Sequence, residues 1–404
     1  MSTEQRIYPL KGKVQHYAWG GYEFIPQLLS LNNPEKKPFA EYWLGAHPNH
    51  PSTIGIDNNE IPLDVFIEKH HKTSRAGKSF KTLPFLLKIL DVRQMLSIQV
   101  HPNKSSAELG FQKENESGIP ANAADRNYKD DNHKPEMMVA LSDFWLLHGF
   151  KPADKLIETL SAIPGFEFLI EEFTTKGYRG LYEKAMLMQQ GEVNKILEPI
   201  AEKILPLYRN GELLKSQESF WAARAVESFC RDGNYDRGIF SIYFFNLIHL
   251  KKGEGIYQGA QLPHAYLEGQ NVELMANSDN VLRAGLTEKY IDVDELLKHV
   301  SFTETVPNIL GSSADVQEEL VFETPAEEFE LYQYHLKGSN VRLHATNAEI
   351  ILVLEGNTSI TSGSKSVPLK KGQAVFILAD TDYTIAASSG ELFRAITPSR
   401  TFTK

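Results

Sequence analysis

"LKKGEGIY", Leu250 to Tyr257, returns as "LKKGQAVF", Leu369 to Phe376, at an offset of 119 residues. Each copy sets a polar turn with a central glycine ahead of a short β-prone run. A strand–turn–strand unit repeated within one chain points to two β-barrels of jelly-roll type. The surroundings agree. After residue 320, "EIILVLEGNTSITSG", "KSVPLKKGQAVFILA", "YTIAAS" and "LFRAIT" follow at intervals typical of a sandwich or barrel. Upstream, "LPFLLKIL" and "LSIQVH" are strand-like, and "IFSIYFFNLIHL" reads as a buried strand. Between these halves the period changes. "DKLIETLSAI", "EVNKILEPIAEKILPLY" and "ESFWAARAVESFCRD" space their apolar residues by three and four, as amphipathic helices do. The expected division is a discontinuous unit of residues 1–151 and 236–319, a helical insertion at 152–235, and a second barrel at 320–404.

A length of 404 residues suggests two or three domains at roughly 150 residues each. With 42% apolar residues the chain can bury substantial cores. The net charge of -10, with no basic block, argues against nucleic acid as a partner. Cys230 is alone, so no intramolecular disulfide can form, which suits a reducing cytoplasm. "MSTEQRIYPL" lacks the apolar core of a signal peptide, and "IFSIYFFNLIHL" falls short of the roughly 20 residues that span a bilayer. No membrane association is expected, and a monomer is.

The chemistry is concentrated elsewhere. In "LSIQVHPNK", Leu96 to Lys104, the residues Leu96, Ile98 and Val100 alternate with Ser97, Gln99 and His101. On a strand the polar three share one face. Gln99 and His101 can then reach one point, and imidazole suits zinc. Glu136 opens a strand after "NHKP", and His264 sits in "LPHAY". Cupin barrels place metal-binding His and Glu on such elements. Gln99, His101, Glu136 and His264 would leave room for water or substrate; an amide ligand keeps the ion Lewis-acidic. Lys88, Lys134, Arg283 and Lys289 lie in the same motifs, and cations beside a metal in an acidic chain point to an anionic substrate, with phosphate the obvious class.

Taken together, "VQHYAWGG", "AEYWLGAHPNHPS", "LPFLLKIL", "LSIQVHPNK", "NYKDDNHKPEMMVAL", "LPHAYLEG" and "VELMANSDNVLRAGLTEKYIDV" resemble type I mannose-6-phosphate isomerases, in order from about residue 14 to 295. The resemblance implies a mainly β fold of two cupin-type jelly rolls with a helical insertion. It implies a zinc enzyme, one ion per chain, that interconverts mannose 6-phosphate and fructose 6-phosphate. Its zinc ligands fall on Gln99, His101, Glu136 and His264, and its active-site arginine on Arg283. Trp19, Lys88, Ser97, Lys134, Tyr266, Glu273, Asp279 and Lys289 fall in the pocket, with Ser97 expected near the phosphate. Glu273, Asp279 and His133 are the candidates for the proton-shuttling base, with Glu273 preferred.

Two other classes fit parts of the pattern. Two His and one carboxylate would suit a non-haem iron oxygenase, which the additional Gln and the cations oppose. A non-catalytic sugar-phosphate sensor would not need Arg283 with a full ligand set. In the second barrel, a shift of 119 carries His264 to Tyr383, and no Gln-x-His strand follows residue 320, so that barrel is expected to be a structural copy without metal.

Overall fold

The computed structural model describes residues 5–56, 59–70, 80–311 and 318–399. Its strands form two antiparallel sheets of ten and eleven strands. The eleven-stranded sheet is organised around His264–Ala276. The first half of this strand pairs with Gln99–Val100 and Phe144–Phe150, and its second half with Phe85–Val92 and Glu136–Ala140. Gly269 marks the change of partners. It has φ +130°, and a Cβ there would lie 2.6 Å from the Phe144 ring, so glycine lets the strand bend and close the barrel.

Period-two alternation explains both faces of this sheet. Leu87, Ile89, Met137, Val139, Val272 and Leu274 point outward and share a core with Ile350, Leu352, Phe376, Phe393 and Ala395 of the other sheet. Leu90, Val92, Met138 and Ala140 point inward, with Phe144, Leu146, Ile248, Leu250 and Tyr266. Because both faces are covered, all eight residues of Phe85–Val92 are buried, and the strand reads as an apolar run broken by Lys88 and Asp91. The first strand, Ile7–Lys11, pairs with Ala374–Ile377 and Thr53–Ile56, so the start of the chain lies in the sheet built mainly from residues 319–396.

The helices Ala153–Ser161, Glu167–Leu187, Gln190–Arg209 and Glu218–Phe229 pack around Tyr182 and Trp221. The same core takes in Ile98 and Val100 from the barrel wall. No helix among the described residues is long and apolar enough to cross a membrane. Two local expectations change. "IFSIYFFNLIHL" is a helix, Gly238–Phe244, followed by a strand, Phe245–Leu250. All seven helical residues are buried, so no polar face marks the period and the run looks like a strand. Of "LSIQVH", only Gln99–Val100 is strand. Leu96 packs on the barrel interior while Ile98 and Val100 face the helices, so the apolar three do not share a face.

The two repeat copies make the same turn. Gly253 and Gly372 have φ +89° and +78°. Glu254 Oε2 accepts from Lys251 N at 2.8 Å, and Gln373 Oε1 accepts from Lys370 N at 2.9 Å. Register extends the equivalence. Gln258 pairs with Glu136, and Ile377, one repeat later, pairs with Glu349. Glu349 thus stands in the second barrel where Glu136 stands in the first, and Tyr383 stands for His264. Tyr383 Oη donates to Glu349 Oε2 at 2.6 Å, and Arg394 donates to both carboxylate oxygens, at 2.8 and 2.6 Å. A guanidinium supplies the positive charge at this buried carboxylate. Tyr383→Phe should therefore cost stability, about 1–2 kcal/mol by denaturant titration, and leave kcat at its wild-type value. A fall in kcat at unchanged stability would show that this barrel reaches the reacting centre.

Candidate metal centre

His101, Glu136 and His264 converge inside the first barrel, each at most 4% exposed. The three elements that bring them there are distant in sequence. His101 follows the short strand Gln99–Val100, just before Pro102. Glu136 begins a strand, and His264 begins the long one that pairs with it. One ligand atom from each residue lies within 4.8 Å of the other two. His264 Nε2 is 3.2 Å from Glu136 Oε2, and His101 Nε2 is 3.5 Å from Glu136 Oε1.

Hydrogen bonds fix the state of both rings. His101 Nδ1 lies 2.7 Å from the carbonyl oxygen of Asn280, and His264 Nδ1 lies 2.9 Å from that of Leu262. A carbonyl only accepts, so each Nδ1 carries a proton, and Nε2 is the ring nitrogen turned towards the carboxylate. His101 Nε2 is buried without a hydrogen-bond partner. Burial pushes this imidazole down to about 4 against the pull of Glu136, so it is neutral at pH 7. Glu136 is itself buried, yet the Lys134 ammonium beside it holds its carboxyl well below the usual range. Two imidazole Nε2 atoms and a carboxylate, all buried, thus converge on one point. A metal cation satisfies all three, and the N, N, O donor set suits zinc.

Strand register supplies the neighbours. Gln99 is directly opposite His264 on one side and Arg283 on the other, and His148 is opposite His264 on the far side. Directly opposed residues share a face, so His148, His264, Gln99 and Arg283 form one row across four strands. His148 Nδ1 is 2.9 Å from Gln258 Oε1, and burial pushes His148 down to about 4.

A second group of charges lies alongside. Lys88 Nζ is 3.2 Å from Glu273 Oε1 and 3.7 Å from Glu41 Oε2. It also sits 5.1 Å from the Trp43 ring centroid, and the Trp43 indole N–H donates to Glu41. Burial raises Glu273, Lys88 pulls the other way, and the charge of Glu136 adds to the rise. Burial also lifts Tyr266 well above the usual tyrosine value, with the charge of Glu273 contributing. Lys134 Nζ is 3.2 Å from Glu136 Oε1. Asp279 pairs with His47 at 3.4 Å; burial acts to raise it, but the His47 contact lowers it on balance. Trp19 packs against the apolar floor and stacks on Tyr17.

Arg283 is half-buried, and desolvation lowers it. Lys289 is exposed on the following loop; burial of part of its stem lowers it, and Arg283 adds to this. Ser97 is half-buried two residues before Gln99. His133 stands apart, held by Glu328 at 2.5 Å. Glu41, Trp43, His47, His148, Gln258 and Asn280 were not legible as site residues. Only Glu41 and Trp43 carried a signal, the same i, i+2 spacing on a strand that singled out Gln99 and His101.

Comparison with known proteins agrees in both halves of the chain. Residues 7–153 match the family model of the phosphomannose isomerase type I catalytic domain, and residues 318–397 match that of the mannose-6-phosphate isomerase cupin domain. The chain is 36% identical over 395 residues to mannose-6-phosphate isomerase of Salmonella typhimurium, covering 95% of this chain and 98% of that one. It is 31% identical to the Homo sapiens protein of that name, covering 96% and 98%. A crystal structure of mannose 6-phosphate isomerase from Salmonella typhimurium, bound to fructose 6-phosphate and zinc, superposes with TM-score 0.85 at 33% identity, covering 97% of this chain and 100% of that one.

Proposed function

The chain belongs to the type I mannose-6-phosphate isomerases, and from that premise we propose that it interconverts mannose 6-phosphate and fructose 6-phosphate through a cis-enediol, with one zinc ion per chain. The observation that carries the reading is the buried trio His101, Glu136 and His264, two imidazoles and a carboxylate whose ligand atoms converge on one point. These residues would hold the ion with Gln99, whose register beside His264 supports its inclusion. Bound zinc would supply Lewis acidity next to the sugar oxygens.

The remaining chemistry belongs to side chains. Isomerisation takes a proton from the carbon beside the carbonyl and returns it to the former carbonyl carbon. Glu273 suits the base: it is 3% exposed, its affinity for a proton is raised, and Lys88 orients it. Asp279 suits it less, being half-exposed with a lowered proton affinity, and His133 is engaged by Glu328. We assign Asp279 and Lys134 to holding the sugar hydroxyls and their protons in place. Arg283 places a permanent positive charge on the same face as Gln99, where it can offset negative charge developing on the enediolate oxygens. Trp19 and Tyr266 would line the sugar pocket, Lys88 would fix Glu273, and Ser97 and Lys289 would take the phosphate.

For the organisation we propose the catalytic unit 1–151 with 236–319, the insertion 152–235 and the second barrel 320–404, with Ile7–Lys11 joining the last to the first. The partner is a small sugar phosphate, and we take the chain to act as a monomer in a reducing cytoplasm, as a lone cysteine allows.

Isomerisation consumes no oxygen, which an oxygenase on the same ligands would need. Purified chain given mannose 6-phosphate should form fructose 6-phosphate at equal rates under air and argon. Failure to form it under either gas contradicts the reading.

A further inference from the structure

The carbonyl that fixes the His101 ring belongs to Asn280, a fully buried residue whose side chain serves the opposite wall of the site. Its amide oxygen accepts from the main-chain N–H groups of Lys129 and Asp130, at 2.6 and 3.2 Å. Its amide nitrogen donates to the carbonyl oxygens of Asp130 and Asn132, both at 2.8 Å, and lies 3.2 Å from Asp130 Oδ1. Asp130 closes the arrangement. Its carboxylate accepts from Ser278 Oγ at 2.8 Å, from Asn132 N at 2.9 Å and from Asp279 N at 2.7 Å. Ser278 Oγ in turn accepts from Asn280 N at 3.2 Å.

Three parts of the site meet in this knot. One is His101. The second is the segment that leads through Lys134 to Glu136. The third carries Asp279 and leads to Arg283. Residues 117–135 form no helix or strand, so hydrogen bonds of this kind must place them. These contacts take two N–H donors and an oxygen that accepts twice, which among side chains an amide supplies. Aspartate would set acceptors against the carbonyls of 130 and 132, and an apolar residue would leave four main-chain groups short of a partner.

We propose that Asn280 is a positioning residue that clamps the 129–132 segment to the 278–280 turn and thereby sets the Nδ1-protonated form and the aim of the metal ligand His101. The inference rests on the zinc reading above and deepens it. A histidine ligand whose second nitrogen is held by a fixed acceptor binds metal more tightly, and loss of such a partner typically weakens metal binding by about 10- to 100-fold.

The test is the zinc affinity of the full chain, measured by competition with a chromophoric chelator. Asn280→Ala should lose about 10- to 100-fold in affinity. Ser278→Ala, which removes the hydroxyl's contacts with Asp130, Asn132 and Asn280 N and almost no volume, should lose less, in the same direction, and it decides the matter if Asn280→Ala does not fold. Ile360→Ala in the core of the second barrel controls for lost stability and should bind zinc as the wild type does. If the wild type binds zinc and the knot variants that fold bind it equally well, the clamp is wrong. An equal loss in Ile360→Ala would also overturn it, because the effect would then be a general softening of the fold. A wild-type chain that takes up no zinc would remove the reading on which the clamp rests, and the clamp with it.

Discussion

Replacing His101 by alanine removes metal and activity together. The wild-type chain should carry about one zinc, and His101→Ala close to none when assayed by elemental analysis after dialysis. The reason is the shape of the site. Its acceptors are buried, and two are imidazoles whose proton is committed to a main-chain carbonyl on the other side. With one imidazole gone, a single histidine and a carboxylate remain of the trio, and Lys134 is already within 3.2 Å of that carboxylate. The substitution also leaves the Asn280 carbonyl without its ring partner, but His101 lies just past the strand Gln99–Val100 and its side chain takes no part in strand pairing, so the fold should persist. Retention of wild-type zinc content with lost turnover would mean that His101 acts on substrate rather than on the ion.

Arg283→Ala should behave differently. A guanidinium carries donors only and has no lone pair to offer a metal, so zinc content should remain near one per chain. Arg283 stands in the row of opposed residues that contains Gln99 and His264. A charge that stabilises an oxyanion acts mainly in the transition state, so the loss should fall on kcat, by about 10²- to 10³-fold, with KM changed far less. Lys289 provides the internal comparison. It lies on the exposed loop beyond Arg283, and its removal should raise KM for the phosphorylated sugar more than it lowers kcat. If Arg283→Ala raises only KM, the guanidinium is a phosphate clamp and the assignment of roles must be exchanged.

What was legible in the sequence follows from where each signal is local. The converging residues His101, Glu136 and His264 were legible because they stand in short strand-end motifs, "QVH", "KPE" and "PHAY", where a polar residue interrupts an apolar pattern. The two-barrel architecture showed itself through one turn, because glycine at positive φ and a side-chain cap recur at the same places in both copies. The helix Gly238–Phe244 did not, because burial on all sides erases the amphipathic period. The pairing of Ile7–Lys11 with Ala374–Ile377 could not be read either, since strand partners hundreds of residues apart leave no mark on local pattern. The same holds for the inner polar shell. His148 and Gln258 are single polar residues in apolar strands, and only register brings them beside His264. Glu349 and Arg394 show the complement of this. Their ion pair is evident only once strand pairing places Glu349 where Glu136 stands in the other barrel.

The most direct measurement of the central claim is reconstitution. Chain stripped of metal by a strong chelator, then freed of the chelator, is given mannose 6-phosphate, and fructose 6-phosphate is followed as zinc is added in steps. The account predicts no conversion at the start, activity rising in proportion to zinc, and a plateau at about one equivalent per chain. Full conversion by the stripped chain before any zinc is added would contradict it.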